Sequence, residues 1–103
     1  MNELVEKKLS DLAGVCRRYG VERLYLFGSA AQGRFQPESS DLDFIVELSQ
    51  NRSDSSYADR YFGLLESLEQ LFGRPVDLVV ESAIRNRYFL EAVEKSKALL
   101  YAA

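Results

Sequence analysis

Two aspartates one residue apart open an apolar run, Ser40-Asp41-Leu42-Asp43-Phe44-Ile45-Val46, and a short loop upstream another apolar run ends as Leu26-Phe27-Gly28-Ser29. Successive side chains of a β-strand point to opposite faces, so Asp41 and Asp43 emerge on the same side, roughly 6–7 Å apart. Two like charges at that spacing repel, and ionised groups on a half-buried element are costly unless something compensates them. A divalent cation does so. Mg²⁺ takes oxygen ligands, keeps several waters and is held by one or two carboxylates together with substrate phosphates, which suits a pair of aspartates. The chain has no histidine, which excludes imidazole acid–base catalysis, Ser-His-Asp triads and zinc sites with His ligands.

Gly28-Ser29 supplies the second half of the pattern. A glycine directly after a strand lets the backbone turn sharply and approach a ligand closely, and Ser29-Ala30-Ala31 can open a short helix whose free N–H groups face an anion. A polyphosphate fits there. Arg34, just beyond Gly33, is placed to add a charge-assisted contact, or to stand solvated in a surface loop. A third acid lies in Val76-Asp77-Leu78-Val79-Val80, a short apolar strand that follows Arg74-Pro75. A carboxylate embedded in such a strand needs a partner. If that strand lies beside the one bearing Asp41 and Asp43, the three acids can hold two metal ions, or hold one and accept a proton from an attacking hydroxyl. The other reading is a structural ion pair between Asp77 and a base such as Arg23 or Arg74.

Together, Gly28-Ser29, Asp41-Leu42-Asp43 and the strand-borne Asp77 resemble the minimal nucleotidyltransferase (MNT) domains of the polymerase-β-like nucleotidyltransferase superfamily, over nearly the whole chain. The resemblance implies an α/β (α+β) nucleotidyltransferase fold, a small mixed sheet of three to four strands flanked by helices. It implies Asp41, Asp43 and Asp77 as metal-binding and catalytic carboxylates, and Gly28 and Ser29 as triphosphate ligands. The family often reads Gly-Ser-x-Ala-Arg-Gly; this chain has Gly28-Ser29-Ala30-Ala31-Gln32-Gly33, with Arg34 as the available replacement for the arginine. MNT domains of this size often act as antitoxins to a helical HEPN ribonuclease encoded beside them. The implied reaction is therefore Mg²⁺-dependent transfer of AMP from ATP, with one or two ions, to a tyrosine hydroxyl of a HEPN toxin, with pyrophosphate leaving. A binding module that neutralises a HEPN-like partner by complex formation, without catalysis, is the alternative, and Gln32 lends it weight.

Length and composition bound these readings. At 103 residues, the chain has room for one core and one domain, spanning 1–103, and none for a second, acceptor-binding domain. The acceptor is then another protein or is bound by one. A net charge of −3 argues against a basic stripe for gripping nucleic acid. Lys7-Lys8 and Arg17-Arg18 fit the wet face of a helix. No apolar run reaches membrane-spanning length, Met1-Asn2-Glu3 does not open a signal segment, and the single cysteine cannot form an internal disulfide, all of which predict the cytoplasm. Cys16 falls on an apolar helical face and reads as core.

Periodicity then places the elements. Leu9, Leu12, Ala13, Cys16 and Tyr19 recur at helical spacing before Gly20, predicting a helix from about residue 2 to 19. Strands are expected over 21–27, 42–48 and 76–80. The polar segment 49–56 ends where a cap is needed, and Tyr61, Leu64, Leu65, Leu68 and Phe72 form a helical stripe that stops at Gly73-Arg74-Pro75. Ile84, Tyr88, Ala92 and Val93 mark a last helix; the tail 98–101 either extends it or forms an edge strand. Tyr25, Tyr88 and Phe89 have faces on which an adenine could stack, and equally suit core packing. Arg85 and Arg87 suit a partner, a triphosphate or a solvated helix face.

Overall fold

The computed structural model of the protein describes residues 3–28, 41–50 and 56–103. A short helix α1 (Glu3–Glu6) and a longer α2 (Leu9–Arg18) precede strand β1 (Val21–Phe27), which is followed by β2 (Leu42–Leu48) and helix α3 (Tyr57–Phe72). Strand β3 (Val76–Val80), a 3-10 turn (Glu81–Ala83), helix α4 (Arg87–Ser96) and strand β4 (Ala98–Ala102) complete the chain. The four strands form one sheet in the order β3-β2-β1-β4. β1 runs antiparallel to both β2 and β4, while β2 and β3 are parallel and joined by the α3 crossover. The sheet is mixed, as the family resemblance implies.

Local chemistry explains most boundaries. Ser56 caps α3 by accepting a hydrogen bond from the Asp59 amide at 3.0 Å, and Gly73 ends the helix in the left-handed conformation at φ 64°, a geometry that suits glycine. Asn86 caps α4 through the amides of Tyr88 and Phe89. Two expectations need correction. The predicted helix over 2–19 is interrupted at Lys7-Lys8, where the Lys8 amide bonds to Val5 three residues back instead of four and Lys8 leaves helical geometry at φ −116°, ψ 15°. Ile84 lies before α4, not in it, because the 3-10 turn follows β3 and the Asn86 cap sets the helix start. The tail 98–101 is strand: β4 pairs with β1, with Tyr101 opposite Leu24 and Ala98 opposite Leu26.

The alternation of β1 and β2 sorts the molecule into two faces. Leu24, Leu26, Leu42, Phe44, Val46 and Leu48 are buried with Val5, Leu12, Cys16, Leu64, Leu68 and Phe72 from α1, α2 and α3 in the main core. Arg60 is buried at its margin, donating to the carbonyls of Tyr19 and Ser49 and so tying α3 to the end of α2 and the end of β2. The opposite face carries Tyr25, Phe27, Asp43, Ile45 and Asp77. Part of it is covered by α4, whose Val93 is fully buried, as is Ile45. The acids lie on this second face.

Candidate active site

Register brings the predicted acids to one place. In the parallel pair β2/β3, Asp43 is the direct partner of Asp77, and in the antiparallel pair β1/β2, Phe27 is the direct partner of Asp43. Residues paired across neighbouring strands share a face, so Phe27, Asp43 and Asp77 form one row across three strands, about 4.8 Å from strand to strand. Asp41 precedes β2 and is exposed. Gly28 closes the row on the β1 side: its φ is +78°, and a Cβ added there would come within 2.5 Å of Asp43 Oδ2. The backbone conformation favours glycine, and any side chain there would displace the Asp43 carboxylate.

Electrostatics agree with this placement. The Asp43 carboxyl is held above the ordinary aspartate range, first by burial, then by the charges of Asp77 and Asp41. The Tyr61 phenol is raised as well, by burial first and then by Asp77 and Tyr57. Among the described residues no three carboxylates close into a cage around a single point. The paired carboxylates of Asp43 and Asp77 offer hard oxygen donors, the kind Mg²⁺ takes one or two of beside substrate oxygens and water. The close fit of Gly28 against Asp43 supports the same use, since it leaves backbone, not side chain, next to the acids.

Asp77 is not embedded as the sequence suggested. It is exposed, because β3 is an edge strand and its side chain lies on the face away from the main core. Arg23, one base considered for it, is engaged elsewhere, donating to Glu47 Oε2 at 2.9 Å. What holds Asp77 in place is α3. Glu69 accepts from the Val76 amide at 3.1 Å, and the Tyr61 hydroxyl donates to the Leu78 carbonyl at 2.5 Å, so the backbone is pinned on both sides of the acid. Sequence reasoning missed both: Tyr61 falls in the apolar stripe of α3, and no local signal marks Glu69. Ser29, Gln32 and Arg34, the other expected nucleotide contacts, lie outside the described residues.

Comparison with known proteins gives this row a family. The sequence profile of the nucleotidyltransferase domain matches residues 9–100. The chain belongs to the nucleotidyltransferase domain family, and is an enzyme of the nucleotidyltransferase class. It is 35% identical over 97 residues to the candidate protein adenylyltransferase MJ1379 of Methanocaldococcus jannaschii, a match covering 86% of this chain and 94% of the relative. A candidate minimal nucleotidyltransferase of known structure superposes with a TM-score of 0.76 at 29% identity, over 95% of each chain. A chain from the complex of tri-AMPylated Shewanella oneidensis HEPN toxin with MNT antitoxin shares the fold, with a TM-score of 0.64 at 18% identity over 96% of this chain and 73% of that one.

Proposed function

We propose that this chain is a single-domain, Mg²⁺-dependent protein adenylyltransferase that moves AMP from ATP onto a tyrosine hydroxyl of a HEPN-family toxin and so acts as its antitoxin. The observation that carries the reading is the in-register pair Asp43–Asp77 set against the left-handed Gly28. The partner and the modification are those of the Shewanella complex, whose fold is shared. Asp41, Asp43 and Asp77 would hold one or two ions, which when bound supply charge neutralisation at the phosphates and the leaving pyrophosphate. Gly28 admits the triphosphate to the acids, with Ser29 and Arg34 as its further ligands. Asp77, exposed on the edge strand, is the acid an incoming hydroxyl meets and the one placed to take its proton. Alignment and electrostatics do most of the catalytic work in such a site. No helix among the described residues is long and apolar enough to cross a membrane; the reaction is assigned to the cytoplasm, where ATP and the toxin's RNA targets are.

Incubating the protein with the product of the adjacent gene, Mg²⁺ and each nucleoside triphosphate, then weighing both proteins, tests this directly. A mass gain of one AMP on the partner, lost in the Asp41→Asn/Asp43→Asn double variant while the complex still forms, is the expected result. Neutralisation preserved in the double variant would instead establish the non-catalytic binding module.

A further inference from the structure

The three aromatic residues noted as stacking candidates, Tyr25, Tyr88 and Phe89, are differently placed, and Tyr88 is 81% exposed. Tyr25 is covered by the Lys97 ammonium, which lies 4.0 Å from its ring centroid. Phe62 of α3, also exposed, meets the Tyr61 ring edge to face, on a helix that packs against the face away from the acids. Phe89 stands at the site itself. Its ring meets Phe27 edge to face, with centroids 5.5 Å apart and planes at 89°, and the residue remains 37% exposed. Phe27 is the strand partner of Asp43 and the residue before Gly28. The row across the sheet reads Phe27, Asp43, Asp77, and Phe89 reaches it from α4 by its contact with Phe27.

We propose that Phe89 is the nucleobase platform of this site: the base of the bound triphosphate stacks on its ring while the phosphates lie toward Gly28 and the acids. The inference rests on the nucleotidyl-transfer reading and adds to it the residue that recognises the base. An edge-to-face contact with Phe27 fixes the tilt of the Phe89 ring and still leaves ring surface open to solvent. Open π surface beside a phosphate site is what a nucleobase covers, and stacking of this kind tolerates any base because every base has a flat face. Phe89 touches the strand neighbour of Asp43, which puts its ring on the same face of the sheet as the acids.

Titration calorimetry of the full chain with ATP and with inorganic triphosphate, each with Mg²⁺, tests the assignment in Phe89→Ala, Phe89→Leu and Phe89→Tyr. Loss of the ring in Ala or Leu weakens ATP roughly 5- to 100-fold while leaving triphosphate within about twofold, and Tyr keeps the wild-type affinity for ATP. The Leu variant retains an apolar contact with Phe27, so it decides the matter should Ala fail to fold. Unchanged ATP affinity, or equal losses for ATP and triphosphate, overturns the platform alone. Wild-type protein that binds neither ligand overturns the transferase reading along with it.

Discussion

Asp43 carries the tension of this site. Its folded-state pKa is raised, so the native state holds the proton more tightly than the unfolded chain does. No stability is lost on this account below the ordinary aspartate pKa; the loss grows as pH rises from there and is complete once pH has passed the raised value. In metal-free buffer Asp43→Asn is therefore expected to raise the melting temperature at pH 7, by roughly 1–3 °C once solvent screening is allowed for, with the gain vanishing near pH 3. Melting curves across that range check the sign. Gly28→Ala acts on the same carboxylate from the other side: it forces an unfavourable φ and drives a methyl into Asp43 Oδ2. A loss of transfer activity of at least about tenfold is expected, larger than any change in partner binding, because displacing a reacting group by about 1 Å is that costly. Type and spacing alone single out Asp41, Asp43 and Gly28 as candidates. They do not give the Asp43–Asp77 pairing, since strand order and register depend on contacts distant in sequence. Cys16, read as core, is buried, and its thiol is pushed up to about 12 by burial against the opposing effect of Arg17.

At the scale of elements, α3 does more than fill the core. One face buries Leu64, Leu68 and Phe72, while Tyr61 and Glu69 reach the edge strand on either side of Asp77. Tyr61→Phe keeps the ring and removes the bond to the Leu78 carbonyl. About 1 kcal/mol of stability should be lost, read by urea denaturation. If the bond also positions Asp77, kcat falls severalfold with little change in KM for ATP, whereas a purely structural bond leaves kcat untouched in the folded protein. Arg60→Met removes the buried donor to the Tyr19 and Ser49 carbonyls and is expected to cost about 2–4 kcal/mol, because two acceptors lose a charged partner. Strands β1, β2 and β3 match their predicted spans because each is an apolar run bounded by Gly, Pro or polar residues. β4 could not be decided locally: its identity as strand comes from β1, some seventy-five residues earlier in the chain. The break at Lys7-Lys8 has no glycine or proline to announce it, and the apolar spacing runs through it undisturbed.

For the whole molecule, the topology separates stability from function. α1, α2 and α3 build the main core on one face of the sheet, and the acids sit at the end of the other face, beside the α4 segment that passes from β3 to β4. Lys97 fastens that segment: its ammonium lies 2.9 Å from Glu94, 3.5 Å from Glu81 and over the Tyr25 ring, joining α4, the 3-10 turn and β1. Nucleotide bound between the acids and α4 would engage elements from both layers, all of which exist only in the folded chain. A ligand that binds the native state alone raises stability by RT ln(1 + [L]/Kd), about 2.7 kcal/mol at a hundred times Kd. For a domain of this size that corresponds to a rise in melting temperature of roughly 10–20 °C. Since no three carboxylates among the described residues close into a cage, Mg²⁺ alone should give a small part of this shift, and Mg²⁺ with ATP nearly all of it. The Asp43→Asn/Asp77→Asn variant should melt at the same temperature with or without the pair. Equal shifts for Mg²⁺ alone and Mg²⁺ with ATP would mean that the protein holds the ion without the phosphates, against the shared coordination inferred from the row.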